Sequence, residues 1–478
     1  MFNSTLWLTL ATLAGLVAGF AREWLLVAAW GASGRSDGFL VALFLPEALR
    51  MTLAAGLLSA AALPLYQQRD SAARQRWLNT LTPWLLLCGL LLALLFALGA
   101  PLWVQLIGPG LASSAQAQAQ ASLQLLAFCA PGLLLHALLS IALQARERFV
   151  LAGLGSLLFN LPPVLLLASQ GADSTPQQLA MSCLLGSLLM PLVLLPSLAK
   201  LGWRPWQWRG EAGAGRELLG KIGPLLASNL ASQGLALLER LVASFLGEGA
   251  VTWVNLARKL INLPLIALMA LNQVLLGMLS ARHQDDRLPL LRQGLGAATL
   301  LSLPASLGLI GASPALISLL LPEQAANSPL PSLLAWFAVP LVFGAWNAML
   351  ARFAYAAGDT RLPLHCELAG SLLNAALLAL LPMFFGLPGI ALAALGGVLL
   401  TNLLLLKQQG LLHQLSWPTQ WLVSLLLLAA SAWLLHPISN IYWQLGLSIL
   451  AGALSLAGLA LWLKPWRQPQ PPVSPTAR

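Results

Sequence analysis

Long apolar runs separated by short polar segments dominate the pattern of this chain. A helix of about 20 apolar residues is long enough to cross the hydrocarbon core of a bilayer. We count fourteen such runs, at residues 6–30, 37–66, 80–107, 121–145, 150–168, 177–199, 217–246, 251–280, 292–320, 330–356, 363–385, 388–407, 418–436 and 441–463. The pattern therefore predicts an all-α integral membrane protein with about 14 transmembrane helices.

The charge distribution adds an orientation to this picture. Only 8% of the 478 residues are charged, whereas soluble domains carry roughly 25%. The formal net charge is nevertheless +10, and the basic residues concentrate in the connections after even-numbered runs, while the opposite connections contain only Arg35. This asymmetry predicts a multi-pass membrane protein with both termini in the cytoplasm. Basic loops beside anionic lipid need no nucleic-acid partner to explain them.

An internal repeat predicts how the helices are grouped. The segment RERFVLAGLGSLLFN at 146–160 parallels TRLPLHCELAGSLLN at 360–374, and both contain GSLL followed by Asn. The second copy follows an even number of helices, so both copies have the same orientation, as in parallel transporter repeats. We therefore expect two six-helix lobes around a central cavity. The predicted organisation is an N-lobe (1–199), a cytoplasmic connector (200–221), a C-lobe (222–407), two additional helices (408–464) and a disordered tail (465–478).

Basic side chains inside the apolar runs are the main candidates for function. A cation near the bilayer centre costs at least about 2–3 kcal/mol unless it faces a wet cavity or meets an anion. We therefore predict a water-accessible, positively charged chamber and a substrate that carries phosphate or another anion. The six residues are Arg22, Arg50, Arg240, Arg258, Lys259 and Arg352.

Ion pairing is the structural alternative for two of these arginines. Glu47 lies three residues before Arg50 on the same helix face, so these two side chains can pair. Glu23 adjoins Arg22, but neighbouring residues point about 100° apart on a helix and do not face each other, which argues against that pair. A cavity-facing Arg50 that is tethered by Glu47 satisfies both interpretations.

Other polar residues in the runs leave two interpretations open. Glu239 and Arg240 are a buried acid–base neighbour pair, which is either structural or, through the acid, a holder of a coupling proton or Na⁺. Asp37 begins the second run, where it can cap a helix or latch to an arginine when the outer side closes. Asn160 and Asn374 are related by the repeat, and such amides either line the lobes or join helices.

Motifs for nucleotide hydrolysis, covalent catalysis and metal binding are absent. The chain contains no GxxxxGK followed by Ser or Thr, no GxSxG and no HExxH, and its five histidines have no metal-ligand spacing. We therefore predict a transporter rather than an enzyme, with no metal site and no cofactor. Its energy would come from the membrane potential or from coupling to Na⁺ or H⁺.

Several segments resemble a known family. They are GFAREW (19–24), GASGRSDGFLVALFLPEALR (31–50), ERLVASFLGEGAVTWVNLARKLINLP (239–264) and ARFAYAAGDTRLPL (351–364). The chain resembles the lipid II flippase family, MurJ or MviN, of the multidrug/oligosaccharidyl-lipid/polysaccharide exporter superfamily. The resemblance implies a two-lobe, MATE-like fold and a location in the bacterial cytoplasmic (inner) membrane. It also implies that the chain moves a polyprenyl-diphosphate-linked saccharide from the inner to the outer leaflet by alternating access.

The resemblance also implies roles for individual residues. Arg22, Arg50 and Arg258 match the family arginines thought to receive the diphosphate. Asp37 matches an acid important in the family. Glu239 falls where many members have an aspartate linked to a cation site, and Asn374 matches an asparagine of that site.

Departures from the family pattern keep other functions open. Glu23 stands where the family has aspartate, Glu47 replaces an asparagine, and Ala55 replaces a glutamate. Glu23 and Glu47 are therefore assigned a gating or supporting role. The alternatives are a flippase for exopolysaccharide or O-antigen repeat units, a cation-coupled multidrug exporter, and a membrane scaffold. The expected partners are the lipid-linked substrate, the bilayer and, as candidates, enzymes of cell-wall or polysaccharide synthesis.

Overall fold

The computed structural model describes residues 2–463 except 55–56, 147, 205–210, 212, 263–286, 325–327, 360 and 416. Within these residues the chain forms α-helices and one short 3₁₀ turn, and it contains no strand. The helices are α1 (Phe2–Trp30), α2 (Gly34–Ala54), α3 (Leu57–Gln67), α4 (Ser71–Leu98), α5 (Ala100–Ile107), α6 (Ser113–Leu126), α7 (Cys129–Gln144), α8 (Phe149–Gly153), α9 (Gly155–Gln170), α10 (Pro176–Ala199), α11 (Ala214–Ser244), α12 (250–262), α13 (Arg287–Leu320), α14 (Leu330–Ala356), α15 (Arg361–Phe385), α16 (Leu387–Gln408), α17 (Trp417–Leu435) and α18 (Ile441–Leu463).

The all-α membrane fold predicted from the apolar runs is confirmed. In the described part of the chain, nine helices are long and apolar enough to cross a bilayer, and Thr419–Leu435 is a shorter apolar helix. Several predicted runs correspond to two consecutive helices, such as α4 with α5 and α6 with α7. Residues 263–280 of the eighth run lie outside the described residues. The total of fourteen spans therefore remains a prediction.

Local sequence signals explain where some helices begin. The Asp70 carboxylate accepts a hydrogen bond of 2.7 Å from the Ala73 amide and so caps α4. Thr175 and Gln178 exchange side-chain and backbone hydrogen bonds in a capping box at the start of α10. Such caps satisfy amide groups that have no partner within the helix.

The first compact unit comprises Met1–Thr252 and is centred on α7. Nearly every residue from Cys129 to Leu143 is buried, because α7 packs against α2, α3, α4 and α10. Small residues allow close approach: a Cβ on Gly132 would lie 2.3 Å from the Ser187 carbonyl oxygen. In a membrane, where lipid is as apolar as leucine, such backbone proximity is a main source of helix association.

The second compact unit comprises Trp253–Arg478. In it, α13 packs against α14, α17 and α18, and α16 packs against α14 and α15. A Cβ on Gly397 would lie 2.6 Å from the Gly370 carbonyl oxygen, so α15 and α16 also approach closely. The last two helices, predicted from the sequence to lie outside the repeat, pack against α13.

The boundary between the compact units falls after Thr252, so α11 belongs to the first of them. The repeat-based division into an N-lobe, a C-lobe and added helices remains a prediction. Trp206 and Trp208 of the connector and all of the predicted tail lie outside the described residues. Within the first unit, the described part of the connector is attached to α4, since the Glu211 amide donates to the Thr80 hydroxyl at 2.8 Å.

Arg69 strengthens this attachment at the end of α3. Its guanidinium bonds Glu211 at 2.9 Å and Glu217 at 2.5 Å. The hydrogen bond that Arg69 donates to Glu211 is the main cause of a raised pKa for Arg69, which therefore stays charged. Glu211 and Glu217 of the connector are thus joined to α4 and to the end of α3 by polar contacts.

Cysteine labelling tests the predicted orientation. Asp173 and Arg76 are both exposed and lie at opposite ends of the helices of the first unit. In intact cells we expect a membrane-impermeant maleimide to label an Asp173→Cys variant, while an Arg76→Cys variant reacts only after permeabilisation, because arginine-rich loops stay in the cytoplasm. The parent chain is the control, since its cysteines are buried or half-buried. The opposite labelling pattern would invert the orientation.

Candidate functional site

Arg22 of α1 and Arg50 of α2 lie close together and share one carboxylate. A terminal nitrogen of Arg22 lies 3.2 Å from Glu47, and a terminal nitrogen of Arg50 lies 2.8 Å from the other oxygen of the same group. The two arginines are 1% and 7% exposed. Two candidates that are 28 positions apart in the sequence therefore form one buried cluster.

Glu23 is a second member of this cluster, contrary to the expectation from helix geometry. Its carboxylate lies 2.6 Å from Arg22, and the bond is buried. The argument that neighbouring residues point apart concerns the Cα–Cβ directions. It was wrong for this pair, because a long arginine side chain can fold around the helix to reach an adjacent acid.

Helix α9 supplies further contacts of the two arginines. The Ser156 hydroxyl accepts a hydrogen bond of 3.1 Å from Arg50. The Phe159 ring centroid lies 5.3 Å from the Arg50 guanidinium and 5.9 Å from that of Arg22, within range of a cation–π attraction. Ser156 and Phe159 were not singled out from the sequence, although both belong to the segment 146–160, the first copy of the repeat.

Part of the hydrogen-bonding capacity of this cluster is unused. Among the described groups, Nε and Nη1 of Arg22 and Nε of Arg50 are buried and have no hydrogen-bond partner. Buried donors nearly always have partners, so unused guanidinium donors call for an explanation. An anion with several oxygens would supply the missing acceptors.

Arg240 of α11 adds a third positive charge to the same region. The charges of Glu47 and Glu23 act on its guanidinium, as does that of the adjacent Glu239. Its guanidinium also lies 4.6 Å from the ring centroid of Phe44. Three arginines, Arg22, Arg50 and Arg240, therefore lie near three acids, Glu23, Glu47 and Glu239, and the formal charges of this cluster balance.

Arg258 belongs to the second compact unit, whereas Arg22 and Arg50 belong to the first. Its guanidinium lies 4.3 Å from the ring centroid of Phe337 in α14, and the side chain is half-buried, as is Lys259 beside it. The joint action of the three predicted arginines on one substrate remains a prediction. Arg352 lies 5.5 Å from the Tyr355 ring on its own helix.

The two repeat-related asparagines both lie where helices touch. The side-chain nitrogen of Asn160 lies 3.5 Å from the position that a Cβ on Gly19 would occupy, at the contact of α1 with α9. Asn374 borders Gly397, at the contact of α15 with α16. Both positions suit the packing interpretation. The side-chain carbonyl oxygen of each is nevertheless buried with no partner among the described groups, which leaves a ligand role open.

Asp37 joins the start of α2 to the start of α12. Its carboxylate accepts hydrogen bonds from the Gly249 amide at 2.7 Å, the Thr252 amide at 2.8 Å and the Thr252 hydroxyl at 2.6 Å. Glu248 accepts a bond of 2.6 Å from the Gly34 amide beside it. The expectation that Asp37 caps its own helix was wrong, because Asp37 lies within the first turn of α2 and its carboxylate instead accepts hydrogen bonds from amides at the start of α12. The contacts of its carboxylate are amides and a hydroxyl rather than the arginine that a latch was expected to use.

Glycine makes the close approach at this junction possible. Gly249 has φ of +83°, a conformation that other residues rarely adopt, and a Cβ there would lie 2.7 Å from the Ala32 carbonyl oxygen. The sequence signal for this contact was the GEGAVT segment, where glycines flank an acid. The sequence alone does not reveal this contact, because its partner is more than 200 residues away.

The family model for the lipid II flippase MurJ matches residues 26–454. The chain belongs to the MurJ family. The lipid II flippase MurJ of Burkholderia cenocepacia is 30% identical over 65% of this chain and 63% of its own length. The probable lipid II flippase MurJ of Vibrio cholerae is 28% identical over 94% of this chain and 91% of its own length. The resemblance seen in the sequence motifs is thereby confirmed.

Solved structures agree on the fold. A lipid II flippase MurJ in an inward closed conformation superposes with a TM-score of 0.82 at 21% identity, covering 96% of this chain and 98% of its own. An inward-facing multidrug resistance MATE family transporter gives a TM-score of 0.66 at 14% identity over 94% and 96% of the two chains. The MATE-like architecture expected for a MurJ family member is confirmed.

Removing the shared carboxylate should destabilise the protein. In a Glu47→Gln variant, Arg22 and Arg50 lose their common anion while remaining buried. Breaking a buried ion pair from one side costs about 3–5 kcal/mol. We expect the thermal unfolding temperature of the purified protein to fall clearly in this variant.

Glu217→Gln is the matched control, since Glu217 is the more exposed partner of Arg69. Such surface pairs contribute about 0–1 kcal/mol. Equal unfolding temperatures for the two variants would show that the Glu47 pairs contribute no special stability.

Proposed function

We propose that this chain moves lipid II, a polyprenyl-diphosphate-linked saccharide, from the inner to the outer leaflet of the bacterial cytoplasmic membrane. The observation that carries the proposal is the buried cluster in which Arg22 and Arg50 retain unused guanidinium donors. A buried cationic site of this kind in a MurJ family member fits a diphosphate. The saccharide would be set by other residues of the chain.

The diphosphate would compete with the acids of the cluster. Arginine binds phosphate oxygens through charge-assisted, often paired, hydrogen bonds. An arriving diphosphate takes up the unused donors of Arg22 and Arg50 and replaces part of their contact with Glu47. Glu23 and Glu47 would then hold the arginines in position while the site is empty, which is the supporting role predicted for them.

Movement of the lobes would complete the cycle. Arg258 joins the diphosphate as the substrate enters, and rocking of the lobes then exposes the headgroup on the outer side. The membrane potential, at about 2.3 kcal/mol per charge per 100 mV, is a source of energy for the return of the emptied site. Glu239 and Asn374 are the candidates for coupling to Na⁺ or H⁺.

The junction at Asp37 would act as the outer gate. Its carboxylate holds the start of α12 against the start of α2 through three hydrogen bonds. Such a contact has to break when the outer side opens. The unused guanidinium donors of the cluster favour an anion, which disfavours the alternative of a multidrug exporter for cationic compounds.

Arginine variants test the substrate site. In proteoliposomes that contain lipid II, we expect the alanine variants at Arg22, Arg50 and Arg258 each to flip lipid II at least about tenfold more slowly. Each loses charge-assisted hydrogen bonds that contribute about 1.5–3 kcal/mol. The readout is the fraction of lipid II that becomes accessible from outside over time.

An Arg352→Ala variant is the control, because it also removes a membrane-embedded arginine but lies outside the proposed site. Normal reconstitution of all variants has to be verified by gel filtration. Full activity of all three site variants would contradict the diphosphate site. Transport of an exopolysaccharide precursor in place of lipid II would keep the site and change the saccharide.

The outer gate can be tested separately. An Asp37→Ala variant leaves the amides of Gly249 and Thr252 without their acceptor, at about 1–3 kcal/mol for each unmet bond. We expect a cysteine reporter at buried Val251, made as Val251→Cys, to react at least about tenfold faster with an externally added maleimide.

Asp70→Ala, which removes the aspartate cap of α4, is the matched control and should leave the labelling rate unchanged. If Asp37→Ala also leaves the rate of the reporter unchanged, Asp37 does not hold the outer side closed.

A further inference from the structure

A pocket of about 310 Å³ lies in the first unit, at the end of the helices where the arginine-rich connections are found. The ends of α3, α4 and α7 form its walls together with the segment that follows α10. Tyr66, Arg74, Gln75, Arg146 and Trp203 provide its polar and aromatic lining. The pocket is separate from the Arg22–Arg50 cluster, with which it shares no residue.

The pocket is positively charged. Arg74 and Arg146 line it, and the charges of both act on the Tyr66 hydroxyl. Within the described part of the chain, none of its lining residues is acidic. The acids in adjoining segments have other partners: Glu211 and Glu217 bond Arg69, and Asp70 caps α4.

Its walls are held in place by hydrogen bonds. Arg74 donates from Nε to the Tyr66 carbonyl at 3.0 Å and from Nη2 to the Gln67 carbonyl at 2.8 Å. Gln75 donates to the Gly202 carbonyl, and the Trp203 indole donates to the Thr82 hydroxyl at 3.3 Å. A guanidinium that is already oriented loses little freedom when it binds an anion.

Apolar side chains complete the lining, among them Leu78, Ala142, Leu198 and Leu201. Cationic groups beside apolar ones suit a phosphate that is esterified to a less polar group. A volume of this size is at the lower end of pockets that hold small ligands, about 300–1,000 Å³. Basic pockets between membrane helices on the cytoplasmic side are typical sites for phosphorylated headgroups.

We propose that this pocket binds a phosphate ester, with Arg74 and Arg146 as the groups that contact the phosphate. Two sources share this chemistry: the headgroup of an anionic phospholipid in the inner leaflet, and a soluble phosphate compound of the cytoplasm. The proposal is independent of the flippase function, since its residues take no part in the Arg22–Arg50 cluster.

The test uses the full chain in nanodiscs of phosphatidylglycerol or phosphatidylcholine. Native mass spectrometry counts the retained lipids, and inorganic phosphate and glycerol 3-phosphate are added in a parallel thermal-shift titration. The key variant is Arg146→Gln, because Arg146 is exposed and its loss leaves the backbone contacts of Arg74 intact. The matched control is Arg148→Gln, an equally exposed arginine two positions away that does not line the pocket.

We expect the parent chain and the Arg148→Gln variant to retain phosphatidylglycerol in preference to phosphatidylcholine. The Arg146→Gln variant should bind it about fivefold more weakly, as expected for one arginine near a lipid phosphate. An Ala145→Phe variant, which fills the pocket and keeps both arginines, should lose the same preference.

Every other outcome of this test either supports or overturns the phosphate pocket. Stabilisation by the soluble phosphates alone, abolished in Arg146→Gln and not in Arg148→Gln, supports the pocket and assigns it to a soluble ligand. Equal weakening by the two arginine variants would show a diffuse basic surface and overturn the proposal. So would retained preference in the Ala145→Phe variant, or no preference and no stabilisation in the parent chain. Lipid II flipping by these variants is measured in parallel and bears only on the function proposed above.

Discussion

The first unit of this structure depends on offsetting the electrostatic cost of burying arginine inside a membrane protein. Arg22 and Arg50 are almost completely buried, and the acids that make this tolerable are Glu23 and Glu47. Because Glu47 bonds both arginines, α1 and α2 cannot separate at this level without exposing or unpairing a charge. Burying paired ions seldom adds net stability compared with apolar residues. The retention of such a cluster therefore points to a use for the charges.

In the function proposed above, the cluster is the substrate site without its substrate. Its acids leave several arginine donors unused, so an incoming anion would bind by exchange of partners. A cluster of arginines without acids would be costly to bury while empty.

Polar groups at the two ends of the first unit perform different tasks. At one end, Asp37 joins α2 to α12 through bonds that are few, short and directional, and such a contact can open as a unit. At the other end, Arg69 and the side chains of α4 attach the connector. The apolar middle of the helices contributes close backbone packing at glycines such as Gly132, which favours rigid-body movement over internal rearrangement.

The sequence by itself determined the helical membrane fold, the family and most of the candidate residues, because apolar runs, charged positions and local motifs are properties of neighbouring residues. The i,i+3 spacing also predicted the Glu47–Arg50 pair correctly. Only the tertiary structure showed that Arg22 shares Glu47 with Arg50 and that the charges of the same acids act on Arg240. It also showed that Asp37 bonds Gly249 and Thr252. These contacts join residues 25 to more than 200 positions apart. Helix packing decides which residues meet over such distances. It also decides whether a flexible arginine reaches its own neighbour, as Arg22 reaches Glu23.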